Sequence, residues 1–317
     1  MSKTRSDEAG ASRSLHEQRT LRSLEGSKFA ATVQSMYGID DLHEVTGRPP
    51  LGRYVKQLWQ RRHFIWLQSR SRVMTDNDDS RLGSLWLIFK PLLDATFYWL
   101  IFGVLLGLDR GMDNFVAFII IGVFMYQYTS TALSTGTKTI SSSKAMIRAF
   151  QFPRMALPLA DLVYDFLQRI PALLVMFVII MGMPPHELPE LAWLLFPVLL
   201  LLQTLLDFGL TLIFARLGTV LPDVSRTMPF LTRLLMYGSG VIFPIGNLAE
   251  KVPALLTVIE LNPVYVLLES YRGILIDGTF PDPQQWITLS AWAVGLLIVG
   301  FFVFWQGEES YSRDQYK

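Results

Sequence analysis

Residues 115–154 read FVAFIIIGVFMYQYTSTALSTGTKTISSSKAMIRAFQFPR and change character half-way along. Residues 115–137 carry no charged side chain, and they are long enough for a transmembrane helix, which needs about 20 apolar residues. Residues 138–154 contain two lysines and two arginines but no acid. Loops with such a basic excess stay on the cytoplasmic side of a membrane. The stretch therefore predicts a membrane span that ends in a cytoplasmic loop.

The composition of the whole chain is that of a membrane protein. Of its 317 residues, 51% are hydrophobic and 17% are charged, against about 25% charged residues in soluble domains. Cysteine is absent, which excludes disulfides and cysteine-ligated metals. The four histidines are scattered, at positions 16, 43, 63 and 186, so we expect no metal site.

Six membrane spans are predicted, which makes the fold class an all-α integral membrane protein. The spans cover about residues 85–108, 115–137, 157–182, 191–215, 227–245 and 284–306. The loop at 183–190 contains two glutamates and neither Lys nor Arg, so it is predicted to lie outside. Six spans then place both termini in the cytoplasm of a multi-pass plasma-membrane protein.

The residues before the first span divide into two parts. Residues 1–50 are polar, have no signal peptide and predict a largely disordered cytoplasmic tail. Residues 51–72 predict an amphipathic helix in the headgroup plane, which is either a plain anchor or an element with a working role. The transmembrane domain then covers residues 81–317.

Proline and glycine interrupt the apolar pattern between residues 243 and 283. Two short apolar pieces remain, 252–261 and 264–276, and each is too short to cross a bilayer. Both follow the fifth predicted span, so they predict short re-entrant helices on the outer face. Irregular backbone at that depth persists only where protein or a water-filled cavity covers it.

The sequence contains no motif that supplies energy or a covalent step. A phosphate-binding loop of the form GxxxxGK[S/T] is absent, and no Ser/His/Asp constellation is present. We therefore interpret the chain as a transport conduit and not an enzyme. Another subunit must drive it.

Four stretches together resemble one family. They are RLGSLWLIFKPLL (81–93), SSSKAMIRAFQFPRMALPLA (141–160), LPDVSRTMPFLTRLLMYGSGVIFPI (221–245) and LNPVYVLLESYRGIL (261–275). From about residue 51 onward the chain is similar to the permease subunits of ABC-2 type exporters for lipid-linked polysaccharides, which include O-antigen, capsule and teichoic-acid exporters. One departure is Leu221-Pro222-Asp223, where many members have an Arg-Asp step. The long tail resembles that of actinobacterial galactan exporters.

The resemblance implies partners that hydropathy does not show. They are a second copy of this chain, two copies of an ABC nucleotide-binding subunit that holds ATP and Mg²⁺, a polyprenyl-diphosphate-linked polysaccharide and membrane lipids. Nucleic acid is not among them, and no cofactor is expected on this chain.

The resemblance also implies roles for residues at the cytoplasmic side. The ATPase-docking helix and its end comprise Lys144, Met146, Ile147, Arg148, Phe150, Pro153 and Arg154, with Pro153 ending the helix. The alternative is an ordinary basic loop. The gate helix contributes Arg53, Tyr54, Trp59, Arg61 and Arg62. Its arginines are candidates for the lipid diphosphate or for anionic lipid.

Aromatic residues are candidates for lining a sugar channel, because sugars stack on aromatic faces. They are Phe97, Tyr98, Phe102, Phe118, Phe124, Tyr126 and Tyr237, and the alternative for each is contact with lipid. The outer gate implied by the resemblance contains Asn262, Pro263, Glu269 and Arg272. We expect Glu269 to pair with Arg272 and Asn262-Pro263 to set the turn.

Besides Lys90 and Asp94 near the start of the first span, the predicted spans contain five charged residues that are candidates for a role: Asp161, Asp165, Arg169, Asp207 and Arg233. Asp165 and Arg169 are four residues apart, so the helix predicts an ion pair with a structural role. Asp207 and Arg233 have no partner nearby in the sequence. They either meet charges across helices or face a wet channel.

Two other functions agree with parts of this pattern. An integral-membrane polyprenyl-phosphate glycosyltransferase would need grouped acids at a membrane face, and the outer acids are scattered. An ion-coupled carrier would use Asp161, Asp165 and Asp207, but the sequence shows no internal repeat of the kind such carriers often have.

Overall fold

The computed structural model describes residues 50–78, 83–105, 114–150, 152–182, 189–244, 259–308 and 310–313. All regular secondary structure in these ranges is helical, which confirms the all-α class. The predicted tail and most of the first short outer piece lie outside the described residues.

Twelve α-helices of the described chain are numbered in order here. They are α1 (Leu51–Gln60), α2 (Arg62–Asp78), α3 (Trp86–Tyr98), α4 (Phe115–Gly136), α5 (Thr139–Ser142), α6 (Lys144–Ala149), α7 (Ala156–Gly182), α8 (Phe196–Val220), α9 (Val224–Gly238), α10 (Pro263–Leu275), α11 (Pro283–Gln306) and α12 (Ser310–Arg313). Short 3₁₀ segments precede α3 and α8, at Gly83–Leu85 and Leu191–Leu195, and a π-helical segment, Trp99–Leu105, continues α3.

Four helical segments are long and apolar enough to cross a membrane. They are Phe115–Gly136, Ala156–Gly182, Leu191–Val220 and Pro283–Gln306, and they match four of the six predicted spans. The first predicted span is α3 with its π-helical continuation, and the fifth is α9, which has 15 residues. At 1.5 Å per residue, α9 is shorter than the ~30 Å hydrocarbon core. The integral membrane class is therefore confirmed, while the count of six stays a prediction.

Helix α4 is the centre of the bundle. Most of its side chains are buried, as expected for a helix that is apolar on all sides. Gln203 of α8 connects it to two neighbours, because its Nε2 donates to the Met125 carbonyl at 2.8 Å and its Oε1 accepts from the Tyr271 hydroxyl at 3.0 Å. One amide thereby joins α4, α8 and α10.

Helices α8 and α11 approach each other closely through glycine. A Cβ at Gly300 would meet the carbonyl oxygen of Gly209, and a Cβ at Gly209 would meet the backbone of Leu296. Small residues permit such approach where water supplies no driving force between helices.

The amphipathic helix predicted at 51–72 is present as α1 and α2, which are separated at Arg61 and extend to Asp78. Tyr54 and Ile65 are buried against the rest of the chain, whereas Val55 and Trp59 of the same predicted apolar side remain exposed. The loop 138–154 lies at the same end of the bundle as α1, and this end is called the basic-loop end below.

The second short outer piece is helix α10, as predicted. The Asn262 side chain accepts a hydrogen bond from the Val264 amide at 3.0 Å, and Pro263 occupies the first turn. This is a favourable N-terminus because proline lacks the amide that would otherwise need a partner.

A prediction follows from the contact between α8 and α11. Gly300→Ala should lower the free energy of unfolding by about 1–3 kcal/mol, because the added methyl overpacks against Gly209. Gly295→Ala on the same helix is the matched control, since a Cβ there meets nothing within 4 Å. Thermal unfolding in detergent measures both variants, and equal melting temperatures would contradict the packing described.

Candidate functional site at the basic-loop end

The basic loop presents a short helix whose two sides differ. Lys144 and Arg148 of α6 are exposed, and Phe150 is 66% exposed. Ile147 is buried and Met146 is half-buried, so these two predicted docking residues face the protein. The exposed surface of the loop is therefore smaller than predicted, and it combines positive charge with one aromatic ring.

Pro153 does not end this helix as predicted. Helix α6 ends at Ala149, and the extended backbone of Phe150 stops it before the proline is reached. Pro153 is buried, and the Arg154 side chain bonds to the Phe150 and Phe152 carbonyls at 3.2 and 3.3 Å. The Phe-Pro-Arg sequence thus forms a fixed connection into α7.

Tyr54 joins this connection to α1 and to the end of the chain. Its hydroxyl donates to Glu308 Oε2 at 2.8 Å and accepts from the Met155 amide at 3.2 Å. The Arg154 amide donates to Glu308 Oε1 at 2.8 Å. Tyr54, predicted on the gate helix, is fully buried, and its hydroxyl is used inside the protein.

Burial changes the acidity of this group of residues. It raises the pKa of the Glu308 carboxyl, although bonds from the Arg154 amide and the Tyr54 hydroxyl oppose the shift. Burial also raises the pKa of Tyr54, and the charge of Glu308 adds to that shift. The sequence analysis missed Glu308. The sequence feature that points to Glu308 is the position of this acid directly after the last apolar span, at the end of the bundle that carries the basic loop.

Asp161 forms a second connection at this end. Its Oδ2 accepts from the Thr139 hydroxyl at 2.6 Å, and its Oδ1 accepts from Arg72 at 2.7 Å. The predicted ion pair of Asp165 with Arg169 is absent from the described residues. The Arg169 guanidinium instead lies 5.4 Å from the centre of the Tyr128 ring on α4.

Asp207 is completely buried, so within this chain it does not face a wet channel. Arg233 is exposed.

A cavity of about 300 Å³ lies between α3, α4 and α7. Its lining includes four charged residues: Lys90, Asp94, Asp165 and Arg169.

The arginines predicted on the gate helix are accessible. Arg53, Arg61 and Arg62 are exposed, and Arg62 lies over the ring of Trp59 at 5.3 Å. Arg61 also lines a cavity of about 240 Å³, together with Phe64, Phe150 and Phe152.

The predicted channel aromatics do not form one surface. Phe118, Phe124 and Tyr126 are buried in the core, and Phe124 also lines the cavity of about 300 Å³ between α3, α4 and α7. Phe97 and Tyr237 are exposed, Tyr98 is half-buried, and the side chain of Phe102 lies outside the described residues. The hydrophobic pattern of the sequence identified apolar helices. It could not distinguish aromatic side chains in the core from those on the surface.

The predicted outer-gate residues converge at the opposite end of the bundle. Glu269 and Arg272 form the expected pair at 2.9 Å. Arg272 is 4% exposed and donates to the carbonyls of Gly240 and Val241 at 3.0 Å each. Its guanidinium also lies 3.5 Å from the centre of the Phe118 ring. One arginine therefore fixes the irregular segment after α9.

Asn262 reinforces the same junction, since its Nδ2 donates to the Ser239 hydroxyl at 2.9 Å. Ser239 and Gly240 follow the end of α9 at Gly238, where the chain leaves the helix.

Comparison with known families shows to which family the chain belongs. The ABC-2 type transporter family matches residues 64–276. The chain belongs to this family.

Individual ABC-2 relatives align over most of their length. The chain is 26% identical over 261 residues to the O-antigen export system permease protein RfbA of Myxococcus xanthus, covering 82% of this chain and 98% of that protein. It is 26% identical over 230 residues to RfbA of Klebsiella pneumoniae, covering 71% and 84%. It is 21% identical over 231 residues to the polysialic acid transport protein KpsM of Escherichia coli, covering 73% and 88%.

The ABC-2 match includes the basic loop and helix α10. It begins after Tyr54 and ends before Glu308, so the contact between these two residues lies outside the matched range.

Glu308 predicts a pH dependence of stability. The folded chain holds the carboxyl proton to a higher pH than the unfolded chain, so the free energy of unfolding falls as pH rises from the ordinary carboxyl pKa through the raised one. Glu308→Gln should remove this part of the dependence. Melting temperatures followed from the ordinary carboxyl pKa to higher pH should therefore fall less in the variant. Parallel curves for the two proteins would contradict the shift.

Arg272→Lys should lower the free energy of unfolding by about 1–3 kcal/mol, the typical cost of leaving buried acceptors without donors. Lysine keeps the charge but lacks the fork that reaches Glu269 and both carbonyls. Arg233→Lys, at an exposed arginine, is the matched control. Thermal unfolding in detergent is the measurement, and an unchanged Arg272→Lys variant would refute the role of the fork.

Proposed function

We propose that this chain is the permease subunit of an ATP-driven exporter that moves a polyprenyl-diphosphate-linked polysaccharide from the cytoplasm across the plasma membrane. The observation that carries the proposal is the exposed helix α6, with Lys144, Arg148 and Phe150, between two long spans inside the ABC-2 match. The relatives named as O-antigen and polysialic acid transport proteins support polysaccharide as the cargo.

The basic loop supports a cytoplasmic position for α6, and six spans then place both termini in the cytoplasm. The exposed bases and Phe150 suit a cleft of an ATPase that offers acids and an apolar pocket. Two copies of that ATPase would hold ATP and Mg²⁺. Their closure would move α6, and rigid-body shifts of the helices would open the path.

A second copy of the chain completes this arrangement. Helices α3 and α9 are the two predicted spans outside the four long apolar helices. They present exposed apolar side chains: Leu92, Leu93 and Phe97 on α3, and Phe230, Leu231, Leu234 and Tyr237 on α9. A facing copy would cover them and place Phe97 and Tyr237 beside the cargo path. The exposed arginines Arg53, Arg61 and Arg62 are available for the carrier diphosphate.

The docking role is tested by charge reversal on α6. Lys144→Glu/Arg148→Glu should abolish co-purification with the nucleotide-binding subunit, or lower the ATPase activity of the complex about ten-fold, since truncation at a hot spot costs at least about 2 kcal/mol. Lys138→Glu is the control, because it alters the charge of the same loop outside α6. Normal assembly and activity of the double variant would refute the docking role. Robust ATP hydrolysis by this chain alone would refute the passive subunit.

A further inference from the structure

Two carboxylates at the basic-loop end have the same pattern of contacts. Helices α1 and α2 are called the interface helices here. Asp161 accepts one hydrogen bond from the basic loop, at Thr139, and one from the interface helices, at Arg72. Glu308 also accepts one bond from the loop, at the Arg154 amide, and one from the interface helices, at Tyr54. Each acid uses one oxygen for each partner. Each therefore connects the same two elements.

The four partners lie at matching positions along those elements. Thr139 comes just before helix α6 and Arg154 comes just after it, so the loop is held on both sides of its exposed surface. Tyr54 lies in α1 and Arg72 lies near the end of α2, so the interface helices are held near both of their ends. The exposed helix α6 lies between the two connections.

We propose that Asp161 and Glu308 are positioning residues that make α6 and the interface helices α1–α2 move as one unit when the ATPase moves α6. This inference rests on the proposed function. It assigns the link between motor and gate to one acid on α7, Asp161, and one acid in the turn after the last span, Glu308.

The chemistry of the four bonds suits this role. The two oxygens of a carboxylate are fixed in one plane, so its two partners keep a constant separation as long as both bonds persist. Hydrogen bonds to an ionised acceptor are shorter and stronger than neutral ones, in agreement with 2.6–2.8 Å for these four. Tyr54 is fully buried, so water replaces its bond to Glu308 poorly, whereas the Arg72 side chain is 47% exposed at its bond to Asp161.

Other contacts hold the interface helix without touching the loop. The Ser69 hydroxyl donates to the Ala160 carbonyl at 2.7 Å, and the Tyr164 hydroxyl donates to Asp76 at 2.5 Å. Both join α2 to α7. Loss of the acid bridges should therefore leave α2 folded on α7. It leaves the Gln68–Met146 contact at 3.9 Å and the Phe64–Phe152 ring contact at 6.1 Å as weaker links between α2 and the loop.

The test uses Tyr54→Phe/Arg72→Gln, which removes the interface-helix partner of each acid and keeps the loop partner. The matched control is Tyr311→Phe/Arg70→Gln. Tyr311 is another buried tyrosine, whose hydroxyl bonds to the Phe304 carbonyl, and Arg70 is exposed on the same helix as Arg72. Because the sequence has no cysteine, spin labels can be placed at Lys56→Cys, Ser141→Cys and Gln284→Cys in pairs.

Pulsed EPR distances are measured in the complex with its ATPase, with one permease copy labelled, with and without a non-hydrolysable ATP analogue. In the unaltered chain and the control, nucleotide should change both distances to position 284 and leave the distance between 56 and 141 constant. In the double variant, only position 141 should move relative to 284. The ATP hydrolysis rate of the double-variant complex should stay within about two-fold of the unaltered complex. The amount of surface polysaccharide should fall about five-fold or more, since about five-fold is the lower bound of typical coupling between two sites.

Glu308→Gln provides the conservative comparison, since its amide oxygen can accept from Arg154 and its amide nitrogen can donate to the Tyr54 oxygen. It should retain the joint movement. The inference is overturned if position 56 of the double variant still follows nucleotide, or if positions 56 and 141 separate in the unaltered chain. A complex in which nucleotide leaves position 141 stationary contradicts the proposed function itself, and the inference with it.

Discussion

A bilayer offers no hydrogen-bond partners, so each polar group buried in this helical bundle needs a partner within the protein. In the described structure, several of these partners come from a different element, while both carboxylate oxygens of Asp207 lack a hydrogen bond. Gln203 joins three helices through one amide, and Arg272 joins α10 to the segment that follows α9. Because the partners belong to different elements, satisfying one polar group also fixes the relative position of two or three helices.

The two ends of the bundle use opposite chemistry for this purpose. At the outer-gate end, a cation donates to backbone carbonyls that the end of α9 leaves without helical partners. At the basic-loop end, Glu308 accepts from the backbone amide of Arg154 in the turn before α7. Each charged side chain therefore lies where the backbone leaves its helix. The basic-loop end, which is proposed to move during export, is thus held by a few directed bonds.

Much of the fold was predictable because hydropathy and helix length are local properties. The spans at 115–137, 157–182, 191–215 and 284–306 each agree with a long apolar helix, and the interface helix and α10 are where the pattern placed them. The ion pair of Glu269 with Arg272 was predictable for the same reason, since three residues separate them on one helix. The functional site was predictable only in outline. Ile147 was predicted on the docking surface and Tyr54 on the gate helix, but tertiary packing buries both side chains.

The sequence by itself determined the membrane class, the helical elements, the basic loop and the family resemblance, because each depends on residues close together in the chain. The tertiary structure alone decided which charges meet. Asp165 and Arg169 are neighbours on one helix yet do not pair, while Asp161 bonds to Arg72, and Tyr54 bonds to Glu308 at the far end of the chain. The physical reason is that a long side chain in a bundle reaches an adjacent helix as easily as its own next turn. Which of these it contacts depends on how the helices pack.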